Sequence, residues 1–88
     1  MTDLNDLTQK LAQVVSRYAV RKAVAFLEGK RLELVVDLMP EKGIFELAGL
    51  WDELRQEFPQ FDVYVWTFRQ RSPIGGVLIY DAELKPVS

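Results

Sequence analysis

The chain has 88 residues, of which 49 % are apolar and 27 % charged, with a net charge of −2. That length predicts one small domain spanning 1–88, and the balanced composition excludes disorder except at the ends. Cysteine and histidine are both absent, which excludes disulfides, thiolate catalysis and zinc–cysteine sites and removes the commonest general base.

The first predicted element is a helix. Leu4, Leu7, Leu11, Val14, Val15 and Tyr18 recur at three- and four-residue steps, which gathers them on one face. Thr2 or Asp3 is placed to cap its start, and Arg17 falls in its expected last turn. From Arg21 the period changes to two. Ala23, Ala25 and Leu27 alternate with Lys22, Val24 and Phe26, and after the turn signal Glu28-Gly29-Lys30 the alternation resumes through Leu32, Leu34 and Val36. Two strands joined so tightly predict an antiparallel hairpin.

Pro40 to Gly43 interrupts the chain, and a second helix follows. Its expected apolar face is Phe45, Ala48, Trp51, Leu54 and Phe58, flanked by Ile44, Leu47 and Leu50; Pro59 ends it. Phe61 to Thr67 reads as a third strand, with Phe61, Val63 and Val65 on one face and Asp62, Tyr64 and Trp66 on the other. Arg69 to Ser72 is a polar loop, Gly75-Gly76 leads into a fourth strand from Val77 to Tyr80, and the tail from Ala82 is expected to be loose. The order is helix-strand-strand-helix-strand-strand. It predicts an α+β two-layer sandwich with a mixed four-stranded sheet, strands two and three parallel and both helices on one face.

The start, MTDLNDLTQK, lacks the basic and apolar segments of a signal peptide, and no apolar run approaches the roughly 20 residues needed to span a bilayer. The expectation is a cytoplasmic protein without a membrane partner. The mild acidity gives no general attraction to nucleic acid.

Several segments, taken in order, carry a resemblance over about Leu4 to Asp81. They are GIFELAGLWDELRQEFPQFDVYVWTF, Ser72-Pro73 and LIYD at Leu78–Asp81. Together with the element order they resemble the minimal nucleotidyltransferase domain, the superfamily that includes antitoxin partners of HEPN-domain toxins. The resemblance implies a nucleotidyltransferase-like fold. In that family an Asp-x-Asp pair on the second strand and an Asp on the third hold magnesium against nucleotide phosphates, which a Gly-Ser loop cradles. Matching LELVVDL to the second strand places Arg31 and Glu33 at the pair, and Asp62 at the third acid. The Gly-Ser loop is missing. An arginine at a metal-ligand position repels a divalent ion. What the resemblance implies is therefore a degenerate site without catalytic residues or cofactor, in which Arg31 pairs with Glu33 or Asp62 and stands in for the metal charge.

The leading expectation is a non-catalytic binding or regulatory protein acting through protein contacts, with an antitoxin-like role as one context. With both helices on one sheet face, Val24, Phe26, Val35, Tyr64 and Trp66 are the candidates to line an uncovered second face. Such a face marks a partner surface, with self-association the commonest case. One alternative keeps a weak magnesium–nucleotide site, or a nucleotidyltransferase, at Glu33 and Asp62. Another uses Trp66, Phe68, Arg69 and Arg71 to stack on and neutralise single-stranded nucleic acid. The chain's acidity weighs against the latter.

Overall fold

The computed structural model describes residues 4–40 and 43–83. In chain order its elements are α1 (Leu4–Val15), β1 (Val20–Glu28), β2 (Arg31–Leu38), α2 (Gly43–Glu57), β3 (Asp62–Thr67) and β4 (Val77–Asp81). The expected caps Thr2 and Asp3 lie outside the described residues, as does the tail beyond Glu83.

Helical spacing in α1 buries Leu7, Leu11, Val14 and Val15, and Asp6 in the first turn suits the helix dipole. The helix stops at Val15, so Arg17 is not in its last turn as the charge pattern suggested. Its guanidinium is drawn to α2 instead, where it pairs with Glu53. The Tyr18 hydroxyl donates to Glu53 Oε1 at 2.7 Å, and the Ala19 N–H donates to the Glu46 carboxylate. This clasp fastens the α1–β1 corner to one side of α2. The hydrogen bond to Glu53, followed by burial and the Glu53 charge, pushes the Tyr18 phenol up to about 12.

β1 and β2 form the hairpin, closing at Glu28 opposite Arg31. Gly29 takes φ +59° while Lys30 stays at negative φ. A glycine with positive φ in the first position of a two-residue loop suits the right-handed twist of the strands. β3 runs parallel to β2 from Arg31 opposite Asp62 to Val36 opposite Thr67, and β4 runs antiparallel to β1 with a register shift between Ala23 and Val24. The sheet order is β3-β2-β1-β4, which leaves β3 and β4 as edges. The chain is thus an α+β fold with two helices and a mixed four-stranded open sheet.

Alternation sorts the strand residues. Ala23, Ala25, Leu32, Leu34, Val36, Val63 and Ile79 join the α1 and α2 side chains in one core. Leu11, Leu32, Leu34, Leu50 and Leu54 are among the fully buried side chains. Each contributes about 1.5–3 kcal/mol relative to an exposed position.

The apolar face of α2 differs from the expected one. Leu50, Leu54 and Phe58 are buried and Leu47 is half-buried, whereas Ala48 and Trp51 are exposed. The helix is rotated because its Leu50–Leu54 stripe fills the space over the sheet beside α1, while Glu46 and Glu53 reach the clasp. The side chains of Ile44 and Phe45 lie outside the described residues. Among the described residues, no helix is long and apolar enough to cross a membrane.

Candidate functional site

Residues Arg31, Glu33, Tyr64 and Trp66 meet on the sheet face away from the helices. On β2, residues two apart share a face, so Arg31 and Glu33 emerge side by side. The parallel register sets Tyr64 opposite Glu33 and Trp66 opposite Val35. Of the two carboxylates that could partner Arg31, Glu33 takes it, with Arg31 Nε 3.1 Å from Glu33 Oε2. The Trp66 indole N–H donates to Glu33 Oε1 at 2.9 Å. From the β3–β4 loop, Arg71 Nη1 approaches Glu33 Oε2 at 2.9 Å. That contact is a close ion pair rather than an aligned hydrogen bond, because Arg71 Nη1 has no hydrogen-bond partner.

Each of the two guanidiniums sits over an aromatic ring. Arg31 lies 4.5 Å over Tyr64 and Arg71 lies 3.9 Å over Phe26. Burial raises the Glu33 carboxyl, but the Arg31 and Trp66 hydrogen bonds and the charges of Arg31 and Arg71 outweigh it and hold the group below the usual carboxylate range. The same hydrogen bond to Glu33 raises Arg31.

Asp62 stands apart from this cluster. It sits opposite Arg31 in the register, is exposed, and lines a different groove with Trp51, Arg55 and Tyr64. Glu33 and Asp62 are thus not drawn together on a shared centre, and Glu33 already has both oxygens engaged. Among the described residues, no group of three acidic side chains is placed to hold a metal ion.

The second face of the sheet is only partly open. Val35 is fully buried and Val24 is 7 % exposed, because the loop between β3 and β4 folds across them. Phe26 and Trp66 are half-buried. Gly76 marks the tightest approach: a Cβ there would collide with Val24 Cγ1 and lie 2.8 Å from Phe26 Cζ. The expectation of an uncovered face therefore needs correction at Val24 and Val35, and of the five expected residues Tyr64, at 40 %, is the exposed one; Leu78 of β4, opposite Val24, is 46 % exposed. Of the four residues proposed to grip nucleic acid, Trp66 and Arg71 are engaged by Glu33, Arg71 also lies over Phe26, Phe68 is half-buried and Arg69 is exposed.

At that edge the backbone alternates. The N–H groups of Asp62 and Phe68 donate to Lys30 and Val36 of the β2 side, so Val63, Val65 and Thr67 direct theirs outward. Trp51 Nε1 donates to the Val63 carbonyl at 3.0 Å, and the Thr67 N–H donates to Gln70 Oε1 at 2.9 Å. Between these two caps the outward N–H and C=O of Val65 have no partner among the described residues. Beside Val65 lies an apolar groove of about 450 Å³ between α2 and β3, walled by Leu47, Ala48, Trp51, Tyr64 and Trp66. Sequence reasoning missed Trp51, Leu47 and Ala48 here, because Trp51 was assigned to the core. The available signal was the competing stripe Leu47, Leu50, Leu54 and Phe58, which carries leucines where the other has Ala48 and Trp51 and leaves the indole outside.

Comparison with known proteins found no matching family model, no matching curated protein and no matching solved structure.

Proposed function

We propose that this chain is a non-catalytic binding or regulatory protein that works through protein contacts, on a fold resembling a degenerate nucleotidyltransferase domain. An antitoxin-like role is the context that resemblance supplies. The observation that carries the reading is the groove on the β3 edge. Trp51 and Tyr64 are 41 % and 40 % exposed there, on either side of the unpartnered backbone of Val65. Exposed aromatic side chains are the usual anchors of protein interfaces, and a free edge backbone accepts an added strand.

The cluster around Glu33 supports the non-catalytic half of the reading. In the position matched to the family's metal ligands, a carboxylate is neutralised by Arg31 and Arg71 and hydrogen-bonded by Trp66. Both of its oxygens are already engaged, and two guanidiniums beside it repel a divalent cation.

Two measurements test this. Sedimentation velocity over a range of concentrations, with the unaltered chain and with Tyr64→Arg, examines the first partner to consider, a second copy. Association that the substitution weakens is the expected result. Thermal melts with magnesium and nucleoside triphosphates are expected to be flat. A ligand at a hundredfold excess over its Kd stabilises by about 2.7 kcal/mol, several degrees for a domain of this size. A magnesium-dependent rise of that order, abolished by Glu33→Gln, would replace this reading with a nucleotide binder.

A further inference from the structure

We propose that residues 69–76 form a strap that opens and closes over the second face of the sheet, latched by Arg71 on Glu33. The strap has an apolar floor. Val24 and Val35 beneath it are buried although no helix covers their side of the sheet. They are sealed by Trp66 at one side and by the Gly76 backbone, pressed against Val24 and Phe26, at the other.

The hydrogen bonds of the strap are local, either within it or to Thr67 where it leaves β3. The N–H groups of Gln70 and Arg71 donate to the Thr67 carbonyl, Gly76 N–H donates to the Pro73 carbonyl, and Ile74 N–H donates to Ser72 Oγ. Among the described residues, its polar tie to β1 and β2 is the Arg71–Glu33 ion pair, reinforced by Arg71 over Phe26. Arg71 is one-third exposed, and a partly hydrated ion pair is a weak tie. The crest of the strap, Ile74, is 86 % exposed, so nothing holds it from outside. Both ends suit a hinge, with Gly75 at φ +92° before β4 and the Thr67–Gln70 turn after β3. A segment anchored at its start on Thr67 and held to β1 and β2 by one ion pair opens without melting the sheet beneath it. Opening bares Val24, Phe26 and Val35 as a second apolar strip. This inference is independent of the groove on the β3 edge.

The chain contains no cysteine, so a single introduced thiol reports one position. Val24→Cys places it under the strap and Val36→Cys places it in the helix-side core. A thiol reagent is expected to label Val24→Cys at least about tenfold faster than Val36→Cys, with little dependence on urea, as sub-global opening requires. Adding Glu33→Gln should accelerate only the first. Equal rates with equal urea dependence mean that both thiols are reached through global unfolding, and overturn the proposal. Trypsin supplies a second test on the unaltered chain, with no dependence on how the cysteine variants fold. Cleavage after Arg69 and Arg71 ahead of sites in β1 and β2, rising with salt, supports the strap. Cleavage at all of these sites together overturns it.

Discussion

The Trp51 indole N–H donates to the Val63 carbonyl across 3.0 Å, so a side chain of α2 occupies a hydrogen-bonding position on the edge of the sheet. An open edge strand presents unpaired groups that recruit other strands, and proteins blunt such edges. Here Trp51 and Gln70 cap the β3 edge from opposite ends and leave a gap at Val65. The stacking of Arg55 over the Trp51 ring at 4.6 Å holds the indole in place.

Trp51→Phe keeps a ring in the groove but removes the N–H. Urea unfolding should show a loss of about 0.5–1.5 kcal/mol with an unchanged m-value, the usual net worth of one hydrogen bond. Trp51→Ala should cost more and, like Tyr64→Arg, should weaken concentration-dependent association, because it removes one of the two exposed aromatic anchors of the groove. An increase in stability on Trp51→Phe would show that the cap is not a stabilising contact.

The orientation of α2 is tested by two substitutions on opposite sides. Leu54→Ala removes a fully buried side chain and should cost about 2–5 kcal/mol. Ala48→Gln on the exposed side should change stability by no more than about 0.5 kcal/mol. Comparable losses at both positions would restore the face through Ala48 and Trp51 that the sequence suggested.

Tyr18 makes stability fall in alkali. Its phenol is raised from 10.0 to about 12 in the folded chain, chiefly by its hydrogen bond to Glu53. The folded state therefore favours the protonated form. The contribution is complete below pH 10 and is lost as pH rises from 10 to 12. Urea midpoints followed upward from neutral pH should drop through this window, and Tyr18→Phe should flatten that part of the curve.

Glu33 acts at the other end of the scale. Its folded-state carboxyl lies below the ordinary value of 4.5: burial works to raise it, and the Arg31 and Trp66 hydrogen bonds outweigh that. The folded state favours the ionised form, so the contribution is complete above pH 4.5 and is lost as pH falls below it. Glu33→Gln should lower stability at neutral pH, because Arg31 and Arg71 lose their counter-charge, and should weaken the acid dependence. An acid limb of unchanged steepness in this variant would assign that dependence to other carboxylates.

Local pattern made the sheet legible. The two-residue period through 22–27 and 32–37, with Gly29 between, defines the hairpin, and alternation in β3 assigns Val63 and Val65 inward and Tyr64 and Trp66 outward. The pairing of Arg31 with Glu33 was open to the same reasoning, because strand neighbours two apart share a face. Arg71 was not. Its approach to Glu33 depends on the path of a loop whose course is set by long-range packing, and the pattern around it reads only as polar. The Gly75-Gly76 pair did carry a signal of close backbone approach, and at Gly76 the neighbour is the chain's own Phe26. On α2 two apolar stripes competed. Local periodicity ranks both, and the fit of Leu50 and Leu54 beside α1 decides between them.

The strand order also sets which loops the chain must close to build the sheet. β1 and β2 are adjacent in the chain and central in the sheet, joined by a two-residue turn. Their hairpin closes a short loop quickly, and neither edge strand has a partner until it exists. β3 can then join β2 only after the chain has passed through α2, and β4 returns to β1 only after the strap has crossed. The centre of the sheet thus closes the shortest loop, and the two edges, one aromatic and one reached through glycines, close the longest.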